Sequence, residues 1–400
     1  MKKIKVILLL VLIFYSQIFA SGRLFSSIPL PQNIFLDLDE QICDDECLNE
    51  LVENGQVFSF LSKYERGFQH EDTLQEFYTN LSVALNLDVQ GDKPPIKLAV
   101  LYPQKKIRGY AVSTVNSIIA YFLHREHNFN LEIFNIDEED EESIEAAVKE
   151  IRESGFSFVV APLTLEGADL LLNYSKDLNI FIPTVNKNLL SFVPQNVLFG
   201  GIDYEKQILT LFSQATHKIA LFTDGSLLAT NLDKTVADIA GNVGYSREIG
   251  NGKVDFKAML NGNKYLNNSS IFLNTPLVKS SLLASQFRVY DIEPYNLLST
   301  QINFHPMLLT LTQYEDRKNL LIANSIDFIP SQLRIFNQLF GHSIEYDWVN
   351  YATSIGVDYF YVTYFNSEAT PLFKEKIIDG QVDYRTKLFK ANRYQLVEAQ

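Results

Sequence analysis

From Ile96 to Gly201 the sequence alternates short apolar runs with segments of helical spacing, and this alternation constrains the fold more than any other feature. IKLAVLYP (96–103) is an apolar run ending in proline, and Tyr110 to Phe122 then carries apolar residues three and four apart, the spacing of a helix face. LEIFNI (131–136) reads as a strand, the acidic run DEEDEE (137–142) as the start of a helix through Ile144 to Ile151, and FSFVVAP (156–162) as a buried strand. A helix from Glu166 to Tyr174 and the strands IFIPTVN (180–186) and NVLFGG (196–201) follow. Apolar strands separated by helices of about 10 to 15 residues predict βαβ units and a parallel sheet covered on both faces. The crossovers are expected to be right-handed.

The pattern then restarts. Tyr204 to Phe212 reads as a helix, KIALFTDG (218–225) as strand and turn, Leu227 to Ile239 as a helix and GYSREIG (244–250) as a second strand. A helix over Asp255 to Leu260 leads to the strand SSIFLNTP (269–276), a helix from Leu277 to Phe287 and a strand near Leu297. Two such halves in series predict an α/β protein of two doubly wound parallel-sheet lobes, in preference to one large sheet. LLIANSIDF (320–328) reads as strand and loop, Ser331 to Phe340 and Asp347 to Ile355 as helices, and residues 381–400 as a closing hairpin, so the chain returns to its first lobe through a hinge. The expected division gives residues 96–203 and 320–365 to lobe one and residues 204–319 and 366–400 to lobe two.

Ahead of this body, Lys2, Lys3 and Lys5 precede the apolar run Val6 to Phe14, and Ile18-Phe19-Ala20 ends it before Ser21, the layout of a secretory signal peptide over residues 1–20. Export to the periplasm is therefore expected, with no membrane span after cleavage; an uncleaved anchor would need a longer apolar run. Residues 21–95 read as a small helical extension, with helical spacing over Leu48 to Leu61 and Leu74 to Leu87 and the breaker GDKPP as a linker. Cys43 and Cys47 are the only cysteines, and in an oxidising compartment they predict a local disulfide; a redox or metal site is the alternative.

A net charge of −14 excludes nucleic acid as a partner. The G-x-S-x-G, H-E-x-x-H, Walker and G-x-G-x-x-G signatures are missing, so neither an enzyme nor a cofactor is expected. His124 and His127 form the only close histidine pair, at a helix end that suits polar side chains, and predict no metal site. Binding in such sheets occurs at the carboxyl ends of strands, which here carry Tyr102, Gln104, Leu163, Thr164 and Asn186 in lobe one, and Thr223, Asp224, Asn274 and Thr275 in lobe two. Thr164, with the backbone N–H groups near Glu166, is suited to a carboxylate and Asp224 to an ammonium; the alternative for each of these residues is a helix cap or a turn. The aromatic residues Tyr346, Trp348, Tyr351, Tyr359, Phe360 and Tyr361 suit a pocket, an interface or the core.

The segment order resembles the type I periplasmic-binding-protein superfamily. Within it, FVVAPLTLEGADLLL (158–172), IPTVN (182–186), LFGGIDYEKQ (198–207), IFLNTP (271–276) and WVNYATSIGVDYF (348–360) look most like the penicillin-binding-protein activator family. That resemblance implies a two-lobed binding module of the cell envelope whose partner is an envelope protein such as a peptidoglycan synthase. The alternative is a receptor that closes on an amino acid or similar small molecule for an ABC transporter.

Overall fold

The computed structural model describes residues 43–64, 70–85, 95–107, 109–252 and 254–399, so the expected signal peptide lies outside the described residues. The chain divides into two compact units, Met1–Pro94 and Pro95–Gln400.

Among its described residues the first unit holds three helices, α1 Asp45–Glu53, α2 Val57–Lys63 and α3 Asp72–Ala84. The spacing over Leu48 to Leu61 anticipated one helix, but Gly55 at φ +69° stops α1 and turns the chain into α2. Leu48, Phe60, Leu61 and Leu74 form the core of the unit, with Tyr64 stacked on Tyr78 at 4.2 Å. Cys43 and Cys47 are disulfide-bonded, and Asp44 between them caps α1 by accepting the Cys47 N–H at 3.1 Å. A closed loop this short contributes about 2 kcal/mol in the chain-entropy account. Reduction is therefore expected to speed amide exchange in α1 to α3 by about thirtyfold and to leave residues 96–399 unchanged. Equal exchange in the oxidised and reduced protein would refute this.

The second unit contains two sheets of seven strands. β1 Ile96–Pro103, β2 Phe129–Ile136, β3 Phe158–Val160, β4 Asn179–Ile182 and β5 Val197–Phe199 belong to the first sheet. β6 Ile219–Thr223, β7 Tyr245–Glu248, β8 Ser270–Asn274, β9 Asn296–Ser299 and β10 Leu320–Asn324 belong to the second. Then β11 Lys376–Ile378 and β12 Gln381–Asp383 return to the first sheet, and β13 Lys387–Ala391 and β14 Leu396–Glu398 to the second. The orders are β11-β12-β5-β4-β3-β1-β2 and β14-β13-β10-β9-β8-β6-β7, so the two lobes repeat one five-strand order, and each is closed by a hairpin, β12 parallel to β5 and β13 antiparallel to β10.

The helices of this unit are α4 Gln104–Ile107, α5 Gly109–Arg125, α6 Glu141–Glu153, α7 Leu165–Leu172, α8 Tyr204–Phe212, α9 Leu227–Ala240, α10 Phe256–Leu260, α11 Leu277–Val289, α12 Met307–Leu311, α13 Tyr314–Arg317, α14 Ser331–Leu339 and α15 Trp348–Phe360. β1 shows why its sequence is apolar beyond the exposed Lys97. Leu98 and Val100 pack with Ile118 of α5, Leu333 of α14 and Tyr351 of α15, while Ala99 and Leu101 face Ile144 of α6 and Leu171 of α7. In the second sheet Phe222 meets Leu283 and Phe287 of α11, and Leu221 meets Ile208 of α8 and Leu232 of α9.

The segment boundaries differ from the expected ones. β10, expected in lobe one, pairs in parallel with β9 and antiparallel with β13, and the chain crosses back to the first lobe only after Asn324. The tail from residue 366, expected wholly in lobe two, is shared: Gln381 pairs with Phe199 of the first sheet, and only β13 and β14 join the second. Apolar alternation reports that a strand is buried but not which of two open edges, β5 or β10, it will cover. Three crossings result, after β5, β10 and β12. They are held by Tyr384 donating to the Gly200 carbonyl at 2.5 Å, by Lys387 to Asp327 at 2.9 Å, and by Gln207, whose amide reaches Gln301 at 2.7 Å and Ser325 at 2.8 Å.

Three of the six late aromatic residues, Tyr351, Phe360 and Tyr361, are buried in the core, and Trp348 and Tyr359 pack against it half-buried. Asp358, two residues before the end of α15, is a hub. Its Oδ1 accepts from Tyr121 at 2.7 Å and Arg125 at 2.5 Å, and its Oδ2 from the Leu372 and Phe373 N–H groups at 2.8 and 3.3 Å. Gly356, two residues earlier, lies under the Phe181 ring, where a Cβ would approach Cδ1 to 2.2 Å.

Candidate functional site

The carboxyl ends of both sheets carry short loops that lead into helix N-termini. In lobe one, Thr164 follows β3 as the N-cap of α7. Its N–H donates to Oε1 of Glu139 at 2.8 Å and its hydroxyl donates to Glu139 Oε2. Glu139 comes from the loop after β2, is 3% exposed and lies over the first turn of α7, where a Cβ on Gly167 would come within 2.4 Å of Oε1. Lys106 of α4 stands 3.8 Å from Oε2. A carboxylate of the protein itself thus takes the N–H and hydroxyl of the residue that caps this helix.

The other lobe-one positions are also engaged internally. Leu163 is 1% exposed and belongs to the core, and its carbonyl accepts the Thr184 hydroxyl at 2.5 Å. Its side chain is a packing group because β3 continues in the same pleat beyond Val160. Asn186 caps the turn at Lys187–Leu189, accepting the Asn188 N–H at 3.0 Å and donating to the Gly201 carbonyl at 3.2 Å. Gln104, exposed at the start of α4, binds Asn135 at the end of β2, its N–H donating at 3.2 Å, and Tyr102 is half-buried in β1.

In lobe two the structure brings Thr223 and Asn274 side by side, in register with Glu248. Asn274 is fully buried, donates to Asp233 Oδ1 at 2.7 Å, and its Oδ1 lacks a hydrogen-bond partner. Burial pushes the Asp233 carboxyl above the usual carboxylate range, and the neighbouring Asp224 adds to this. Asp224 holds the turn into α9 by accepting the Ser226 N–H at 3.1 Å and hydroxyl at 2.7 Å. Thr275 is buried and shares a hydrogen bond of 2.7 Å with Ser280, and Asn303 donates to the Thr275 carbonyl at 3.2 Å. Beyond β9, Phe304 and His305 meet Tyr346 of lobe one with ring centroids 5.7 and 5.5 Å apart, so the lobes touch at this rim.

No family model and no curated protein matches this sequence. Among solved structures, a putative branched-chain amino acid ABC transporter protein from Rhodospirillum rubrum superposes with TM-score 0.58 at 7% identity, over 76% of this chain and 100% of that one. Haemophilus influenzae LpoA superposes with TM-score 0.51 at 9% identity, over 82% of this chain and 65% of LpoA, so the chain spans just under two thirds of that protein. The C-domain of LpoA, described as a regulator of PBP1A, gives TM-score 0.50 at 10% identity, over 76% of this chain and all of the domain. The fold is that of the type I periplasmic binding proteins.

In the type I fold the positions read from the sequence do fall at the carboxyl edges of both sheets, but most of their polar atoms serve the protein's own turns and caps. Sequence reasoning missed Glu139 and Asp233. Glu139 is one of six consecutive acidic residues, and its only signal is its place just after a strand. Asp233 lies in the second turn of α9, where a charged residue ordinarily faces solvent.

Proposed function

We propose that the protein is a non-enzymatic binding module of the cell envelope, exported to the periplasm, that recognises another protein rather than a free solute. The observation that carries this reading is Glu139. Its two oxygens take the N–H and hydroxyl of Thr164, the N-cap of α7 and the lobe-one residue best suited to a solute carboxylate. A ligand there would have to displace a buried carboxylate that already has its hydrogen bonds. Likeness in fold to the LpoA C-domain supports a regulatory partner in the envelope, a peptidoglycan synthase among the candidates.

Protein recovered from the periplasmic fraction is expected to show no thermal shift with a panel of amino acids and small carboxylates. Glu139→Ala should free the α7 donors and gain a response to acetate or formate. A wild-type rise of several degrees with any panel member would overturn the reading, since a ligand at 100 times its dissociation constant stabilises by about 2.7 kcal/mol. Recovery only from the cytoplasm would overturn the export. A second reading, a solute receptor for an ABC transporter, is favoured by Thr300 Oγ1, Gln301 Nε2 and Asn303 Oδ1, buried atoms beyond β9 that lack hydrogen-bond partners. The same panel tests it.

A further inference from the structure

The lobe-two rim around the start of α9 combines three carboxylates with exposed leucine and valine side chains. Glu248, Thr223 and Asn274 end three adjacent strands in register, so their side chains point to one face of the sheet, the face that α9 covers. The Glu248 carboxylate reaches over the turn after β6, where a Cβ on Gly225 would meet Oε1 at 2.7 Å. Asp224 is in that turn, and Asp233 joins the group through its bond to Asn274.

Among the described residues no lysine or arginine forms an ion pair with any of the three. This sets them apart from Asp316, Asp327 and Asp358, each of which faces a cation. Nor does the helix N-terminus account for them. Ser226 already caps α9 through the Ala229 N–H at 3.2 Å, and Asp233 lies beyond the free N–H groups of the first turn. Asn274 adds a buried carbonyl oxygen that lacks a partner at the same spot, an acceptor beside acceptors. Around them, Leu227 is 80% exposed and Leu228 40% in the first turn of α9, and Val278 is 61% exposed in the first turn of α11.

We propose that this rim is the docking surface for a partner segment carrying a lysine or arginine flanked by apolar side chains. The inference rests on the protein-recognition reading above and names the chemistry of the segment. The cation meets Asp224, Asp233 and Glu248, which present only acceptors and are backed by the buried free oxygen of Asn274, and the flanking residues cover Leu227, Leu228 and Val278. Charge complementarity selects this occupant: an acidic chain of net charge −14 here gathers carboxylates without an internal counter-charge beside apolar surface.

Calorimetry on the full chain tests this with three probes: a blocked hexapeptide alternating leucine and lysine, its leucine–glutamate counterpart, and spermidine. The leucine–lysine peptide is expected to bind, more weakly as salt rises, and the other two not to bind. The triple variant D224N/D233N/E248Q should weaken the peptide at least about tenfold. L227S, at an exposed position where the fold tolerates the change, should weaken it measurably with the charges intact. Equal binding by wild type and the triple variant, spermidine binding as tightly as the peptide, or no binding of any probe would each overturn the assignment. If the amino-acid panel stabilises the wild type, the protein-recognition reading fails; if the panel is silent and the triple variant binds like wild type, only the rim assignment fails.

Discussion

Asp358→Ala is expected to lower the stability of the second unit by about 3 to 5 kcal/mol, the usual cost of removing one partner of a buried ion pair. The size follows from what the carboxylate holds. Arg125 reaches it from α5, Tyr121 donates to it from one turn earlier on the same helix, and the Leu372 and Phe373 N–H groups close the segment after α15 onto it. Alanine leaves the Tyr121 hydroxyl, fully buried, without its acceptor, and leaves a guanidinium with no counter-charge, held only by the Thr370 carbonyl, the Tyr121 hydroxyl and the faces of Tyr121 and Tyr361. The check is urea unfolding followed through Trp348, the only tryptophan, which heads the same helix and meets Tyr110 at 5.9 Å. The midpoint should fall with the slope unchanged. A loss below about 1 kcal/mol would show that the hub contributes no more than a surface pair.

Gly356→Ala tests the other half of the same motif. Helix propensity alone favours alanine by about 1 kcal/mol. The Phe181 ring opposes it, because a Cβ would sit 2.2 to 2.4 Å from three ring atoms and the ring is boxed from the far side by Gly200, where a Cβ would lie 2.6 Å away. Phe181 is fully buried and cannot swing clear, so a net loss of about 2 kcal/mol is expected. The discriminating measurement is the double-mutant cycle with Phe181→Leu. The smaller side chain should recover part of the loss, with a coupling of about 1 kcal/mol or more. Additive effects would mean that the two residues do not oppose each other.

These two residues explain why part of the chain was legible in its sequence. The stretch Gly356-Val357-Asp358 has the look of a motif for reasons of packing and charge burial, and it therefore reports the fold and not a ligand. Strand β1 was equally legible, since both of its faces are buried and all of its interior positions are apolar. The assignment of β10 and of the tail was not, because pairing at a sheet edge is set by backbone groups that every residue shares. At the site, Thr164, Asn186 and Asp224 lie at strand ends as read, and their side chains serve caps and turns. Glu139 was hidden among its acidic neighbours, since its burial depends on Gly167, a contact across 28 positions of sequence that no local pattern reports. Asp233 was hidden by its helix.

The tail that completes both sheets has a further consequence, in time. β12 covers the open edge of β5 and β13 that of β10, and these strands lie between residues 381 and 391. During synthesis both sheets must wait with an uncovered edge while nearly the whole second unit has already been made. Lobe one receives β12 just before lobe two receives β13, and these last strands act as a release signal for folding.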